Sequence, residues 1–504
     1  MSTRYQPYCP EQPHLLPPSP QDWMPEDHLA YMVRDVVHGL DLEAFHRWYR
    51  KDARGALPFD PVMMVSVLLY AWCSDVYSSR KISMLCVGDL GGRYLAAGSQ
   101  PDFRTINTFR LRHGDALADL FVQSVRLCQA AGMVSLGHVA IDGSKIAANA
   151  SKRKAMSYGR MVRAEADLRA EIAEIQRRSD AEDAQDDTLF GKDNDSRKTI
   201  HEKGLTKNVG PDVANELKFR ESRLTRIIEA RKQLEAEARQ AAEAKAAEVE
   251  AKRAKYEENP SPHGRKPKEP EDPAKAVPAD TAQRGFTDPD SRIMKSGTGE
   301  WVQGYNVQAS VDEAHQVILA CDLTQDANDK RMLTSMVEKT VAQVGEKPEV
   351  ILADPGYYSE EQAGAMGAMD INALVPPDKE RCGTPDQPAP AKTDEELALL
   401  TTKEKMRHLI STAEGRDSYR RRKGIVEPVF GQIKGSAGNP GYLGFLRRGL
   451  SKCTEEWSWV CATHNILKYI RYQRAQEAPP ATQKENGTNR RGQDCAFETV
   501  AMAM

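Results

Sequence analysis

From about Asp22 to Ala131 the apolar positions recur at helical spacing, so this part of the chain is expected to be all-helical. Asp60-Pro61 marks a helix start, since the carboxylate can accept from free first-turn N–H groups and proline suits the first helical position. The helix continues through Val62, Met63, Val65, Leu68, Leu69 and Trp72, apolar enough to be buried. Shorter helices are expected at about Lys81 to Val87 and Arg93 to Ala97. Another follows from Phe103 to His113, with Ile106 and Phe109 on one face and arginines on others.

The first convincing strand runs from His138 to Ile146, and a long interruption follows it. Met161, Leu168 and Ile175 recur at sevens, as do Leu217 and Leu224, with Ile227 and Leu234 one position over. These read as two arms of an antiparallel coiled-coil hairpin, with an acidic loop at Asp180 to Asp187 between them. Beyond Leu234 the second arm becomes a polar helix, and the Pro- and Lys-rich stretch from Asn259 to Pro278 reads as a linker. Strands Trp301 to Val311 and Gln316 to Asp322 form an expected hairpin. A helix from about Asp329 to Val344, a strand to Ala353, a helix near Glu360 to Met366 and a strand from Ile371 to Val375 complete a mixed α/β sheet once the insertion is removed. Helices are expected at about Ser418 to Lys434 and Thr454 to Tyr472, and the tail from about 476 to 504 is expected to be disordered.

Composition adjusts this picture only slightly. The 504 residues allow two to four domains, and 40% hydrophobic with 28% charged residues describes a soluble chain. No apolar run approaches a membrane span and the first residues lack a signal-peptide stretch, so the expected place is the cytoplasm, at the nucleoid. With 70 Lys plus Arg against 73 Asp plus Glu, any nucleic-acid contact must come from local basic faces. The 9 cysteines are scattered without a Cys-x-x-Cys unit, and His138, His315 and His464 have no ligand spacing, which argues against disulfides and zinc.

The chemistry rests on three acids: Asp142, Asp354 and Glu427. In a strand, Asp142 lies on the face opposite Val139 and Ile141, and Asp354 ends an apolar strand before Pro355-Gly356. If those strands are parallel neighbours, both carboxylates reach one sheet edge, where ligands and metals favour strand ends. Each Asp alone also suits a turn. Glu427 lies in a basic helix beside Lys423 and Lys434, where a surface ion pair with Lys423 is the simpler reading, and Pro428 is awkward inside a helix unless Gly424 relieves its clash. Carboxylates at strand ends beside Lys and Arg suggest divalent cations acting on phosphates.

The segments around the three acids, with Phe286 to Arg292, Gly304-Tyr-Asn-Val-Gln308 and Pro101 to Arg110, resemble the DDE transposases of bacterial insertion sequences. The resemblance runs from about Tyr5 to Tyr472 in the family's order. It implies an RNase H-like mixed sheet interrupted by a helical, coiled-coil insertion and preceded by an all-α N-terminal domain. The corresponding domains are a 1–21 extension, helices over 22–132, a catalytic core over 133–150 and 285–475, the insertion and linker over 151–284, and the 476–504 tail. The helices before Ala131 are compatible with a helix-turn-helix DNA reader and equally with a bundle whose arginines are solvated.

The resemblance makes Asp142, Asp354 and Glu427 the ligands of two Mg²⁺ or Mn²⁺ ions and the chain an enzyme that cuts element ends and joins them to target DNA. It implies double-stranded DNA, both terminal inverted repeats and target, as partner, and a homo-oligomer on it. Lys434 matches a basic position of the related Tyr-Arg-Glu-Lys signature, whose Arg position holds Lys423 and whose Tyr is one residue from Tyr419. Arg420, Arg421, Arg422, Lys423 and Lys434 are expected on the DNA backbone, with Arg447, Arg448 and Lys452 nearby, although a solvated helix end accounts equally for Arg447 and Arg448. Trp301 could stack on a displaced base or belong to the core, and Asp288 and Asp290 are expected to be structural. Two other classes remain: a catalytically silent DNA-binding protein derived from a transposase, and a self-associating scaffold built on the insertion.

Overall fold

The computed structural model describes residues 19–49, 57–190, 211–258, 268–269, 272–297, 299–378, 388–390, 392–393, 396–397, 399–436 and 439–477. The expected tail and most of the expected linker lie outside them. Seven helices come first: α1 (Leu29–His38), α2 (Glu43–His46), α3 (Pro61–Cys73), α4 (Ser79–Gly88), α5 (Leu90–Leu95), α6 (Phe103–Arg112) and α7 (Gly114–Ala130). Helix α3 begins where its sequence says, with Asp60 accepting from the Val62 N–H at 2.7 Å and Pro61 in the first turn. Helix α5 begins three residues before the expected Arg93, because Asp89 caps it by accepting from the Gly92 N–H at 2.7 Å.

Strand β1 (His138–Ala147) leads to a short strand β2 (Ala155–Ser157) and then to two long helices, α8 (Tyr158–Phe190) and α9 (Pro211–Glu258). The acidic stretch expected as a loop at Asp180 to Asp187 is instead the last part of α8. Its alanines favour helix. The arms run antiparallel: Glu165 pairs with Arg231 at 3.0 Å and Glu171 with Arg220 at 2.8 Å. Met161 and Leu168 pack on Ile227, Ala230 and Leu234, so the heptad positions of both arms do face one another. The second arm is anchored to the body by Glu237, which pairs with Arg284 at 2.5 Å and Arg292 at 2.9 Å.

After β3 (Gln283–Gly285) and β4 (Arg292–Lys295) come β5 (Trp301–Asp312), β6 (Ile318–Thr324), α10 (Met332–Val344), β7 (Val350–Ala353), α11 (Glu360–Ala368) and β8 (Asn372–Leu374). Strand β3 pairs with β2 at the root of the insertion. The main sheet is ordered β6-β5-β1-β7-β8, with β4 joined to the start of β5. Strand β5 is antiparallel to β1 and β6, whereas β7 is parallel to β1 and to β8. This is the expected RNase H-like mixed α/β arrangement, interrupted by a helical insertion and preceded by helices. The chain closes with α12 (Thr402–Ser411), α13 (Ala413–Lys434) and α14 (Leu450–Glu477).

One continuous apolar core joins the first helices to the sheet and α14. Asn465, fully buried on α14, makes the seam polar but satisfied. Its amide donates to Ser124 on α7 at 3.3 Å and exchanges bonds of 2.8 and 2.9 Å with the backbone of Ile318. Among the described residues no helix is long and apolar enough to cross a membrane.

Candidate active site

Register places the first two acids. Ile141 on β1 pairs with Ala353 on β7 in parallel, so Asp142 and Asp354 follow side by side at the point where β7 ends, while β1 runs on to Ala147 paired with β5. The Asp142 carboxylate accepts from the Gly143 N–H at 2.8 Å, and Asp354 accepts from the Gly356 N–H at 2.6 Å, so each side chain is held by the backbone just after it. Burial pushes the Asp142 carboxyl up to about 6, and the neighbouring Asp354 and Asp329 add to that rise against the opposing pull of the Gly143 N–H and Arg422. A carboxylate whose negative charge is undercompensated in this way has the chemistry to receive a cation.

Helix α13 crosses the same edge. Arg422 turns inward among Ile425, Val426 and Val429 and sets its guanidinium 3.3 Å from Asp142. Expected on DNA, Arg422 is instead buried against an acid, because its position falls on the apolar stripe of the helix while Arg420 and Lys423 fall outside it and are exposed. Its guanidinium also lies over the Tyr419 ring at 5.9 Å. Arg421 pairs with Asp417 at 3.1 Å and Glu313 at 3.5 Å. Lys434 donates to Ser144 on β1, and burial lowers its ammonium while Asp142 counters that.

Glu427 is exposed and makes no hydrogen bond or ion pair with a described residue. Seven residues before Lys434, it shares that residue's flank of α13. Among the described residues, no group of three His, Cys, Asp or Glu side chains converges as a metal cage. The structure thus brings Asp142 and Asp354 together and leaves Glu427 on the helix flank.

Pro428 sits inside α13 without ending it. Lacking an N–H, it leaves the Gly424 carbonyl free, and Gln316 fills that vacancy with its side-chain amide at 3.0 Å. Gln316, at a left-handed φ of 58°, also accepts from Lys468 at 2.8 Å through its side chain, and its backbone carbonyl lies 3.1 Å from His464.

Several residues at this edge had gone unnoticed. Asp329, just before α10, accepts from Asn306 and Gln308 of β5 at 2.7 Å each and lies 3.6 Å from the Lys145 ammonium. Tyr357 donates to Gln308. The available signal was the polar row Asn306, Gln308 and Ser310 alternating with apolar residues on a strand buried from Gln303 onward, since buried amides require partners.

Other candidates have structural places. Asp288 accepts from the Tyr305 hydroxyl at 2.9 Å and the Gly449 N–H at 3.1 Å, while Asp290 accepts from the Leu450 N–H at 3.0 Å, so both hold the start of α14. Arg447 pairs with Glu455 at 2.5 Å, Arg448 donates to the Asn149 carbonyl at 2.9 Å, and Lys452 is exposed. Trp301 is 58% exposed at the strand start and so is not part of the core.

Residues 376–470 match the family model Transposase DDE domain, and residues 18–112 match Transposase domain (DUF772). Two segments of the chain are thus similar to transposase domains, one of them a DDE domain. The first match spans Glu427, Arg422 and Lys434 but neither Asp142 nor Asp354, and the second spans α1 to α6. No curated protein and no solved structure matches it.

Proposed function

We propose that the protein is a transposase that hydrolyses DNA at the ends of an insertion sequence and joins the freed 3′-hydroxyl to a target phosphate, displacing the target's own 3′-oxygen, with two Mg²⁺ or Mn²⁺ ions. The observation that carries the proposal is the side-by-side placement of Asp142 and Asp354 at the edge of an RNase H-like sheet in a chain with transposase domains. Carboxylate oxygens are hard donors that suit such cations, and Asp142 is a buried one beside a second carboxylate. Asp142 and Asp354 would hold them, with Glu427 joining from the flank of α13. Bound metal would supply activation of water or a 3′-hydroxyl and stabilisation of the leaving oxygen. Arg420 and Lys423, exposed on the outer side of α13, would grip backbone phosphates, and Lys434 would steady the strand beside Ser144. DNA ends paired in a homo-oligomer and placement at the nucleoid belong to the same reading.

The test is a labelled duplex carrying the element's terminal repeats, incubated with and without Mg²⁺ or Mn²⁺. Asp142→Asn, Asp354→Asn and Glu427→Gln should each abolish metal-dependent nicking. Nicking that persists in any one of them removes that residue from the triad.

A second reading is a catalytically silent DNA-binding derivative. The exposed Glu427 and the Arg422 guanidinium on Asp142 favour it. Salt-sensitive binding of the same duplex with no nicking in either metal would select it.

A further inference from the structure

The Gly304-Tyr-Asn-Val-Gln308 motif has no part in the triad, yet two of its side chains converge on the acid pair's edge from the opposite face of the sheet. Asn306 and Gln308 are fully buried, and both amides donate to the same oxygen, Oδ1 of Asp329. Gly143, directly after Asp142, makes the approach feasible. A Cβ there would sit 2.9 Å from Asp329 Oδ1 and 3.1 Å from Asn306 Oδ1 and would collide with the Gln308 amide. The other Asp329 oxygen lies 3.8 Å from the corresponding point on Gly356, the residue whose N–H holds Asp354. Asp329 is therefore packed against the backbone just after both acids.

A second observation points to a missing charge at this place. The Asn306 Oδ1 is buried with no hydrogen-bond partner, although it faces the space beside Gly143. A buried amide oxygen without a donor is costly, and a hydrated cation at the edge would supply one. Lys145, at 3.6 Å, neutralises Asp329 only in part.

We propose that Asp329 is a positioning residue for the Asp142–Asp354 pair: a third carboxylate, clamped by Asn306 and Gln308, that fixes the backbone at Gly143 and Gly356 beside the two acids and strengthens the pull on a divalent cation. This rests on the metal-dependent reading above. Outer partners of a metal site typically contribute 10–100-fold to metal affinity.

The experiment is calorimetric titration of the full-length protein with Mn²⁺ alone, together with the Mn²⁺ concentration that gives half-maximal nicking. Asp329→Asn is expected to weaken Mn²⁺ binding about tenfold or more and to raise the nicking midpoint by a similar factor. Asp329→Glu should restore part of the loss. Asp35→Asn, which removes an exposed acid on α1, should change neither. Each variant is titrated at a temperature where circular dichroism shows it folded before metal is added, so a shifted midpoint reports the site and not the folding equilibrium, and Asp329→Glu carries the comparison if Asp329→Asn does not fold. Wild-type affinity and midpoint in Asp329→Asn would overturn the inference and leave the metal reading standing. Absence of Mn²⁺ binding by the wild type would overturn both.

Discussion

The guanidinium of Arg422 lies 3.3 Å from the carboxylate of Asp142, and both groups are largely withdrawn from water. A buried ion pair of this kind gains little over an apolar pair of the same shape, but losing one partner strands the other charge. Arg422→Gln should therefore destabilise the metal-free protein by about 3 kcal/mol, read by chemical denaturation. Added Mn²⁺ should recover part of that loss, because the cation replaces the missing positive charge. A variant as stable as the wild type would show that the pair contributes nothing to the folded state.

Gly143 is the second point of tension at this edge. Its backbone pairs with Gln308 across the β1–β5 ladder, and a methyl group there would meet Gln308 and Asp329 from outside the strand. Overpacking at such a site costs about 1–3 kcal/mol. Gly143→Ala is expected to lower the melting temperature and to suppress nicking, whereas Gly424→Ala, with open space around its Cβ position, should be harmless to packing.

The bond from Gln316 to the Gly424 carbonyl exists because Pro428 cannot make one. Pro428→Ala would return the N–H and make that bond redundant. Gln316→Ala should cost about 1 kcal/mol in the natural background and clearly less when Pro428 is already alanine. A double-mutant cycle reads the difference as coupling. Equal costs in both backgrounds would show that the Gln316 side chain acts only through Lys468.

What the sequence made legible was whatever depended on local pattern. The apolar alternation around Asp142 and the apolar run before Asp354 placed both acids on strands of one sheet, Asp354 just past the end of its strand and Asp142 within its own, and parallel pairing brought them together. The inward turn of Arg422 was harder to see in Arg420-Arg-Arg-Lys423, where composition suggested four equivalent surface charges. Only its place on the Ile425 and Val429 stripe separates it from its neighbours. Asp329 was invisible for a different reason: it acts through residues some twenty positions earlier, and no local pattern encodes that contact. The acidic end of α8 is not legible as helix because four of the eight residues from Asp180 to Asp187 are Asp, a weak helix former, and the helix there continues from the stronger formers before it.

His464 supplies a pH test away from the acids. Burial holds its imidazole down at about 4, below the usual 6.5, even though the Gln316 carbonyl favours the charged form. The folded protein therefore binds this proton less readily than the unfolded chain does. Stability from this group is complete above the unfolded value and is lost as pH falls from about 6.5 towards 4, below which the loss levels off. The full effect is on the order of 3 kcal/mol. Denaturation midpoints measured from pH 7 to pH 4 should fall for the wild type. His464→Gln, which keeps a side-chain donor for Gln316 but cannot take up the proton, should show a visibly flatter acid limb. Identical slopes in the two proteins would assign the acid sensitivity to other groups, the similarly lowered His113 first among them.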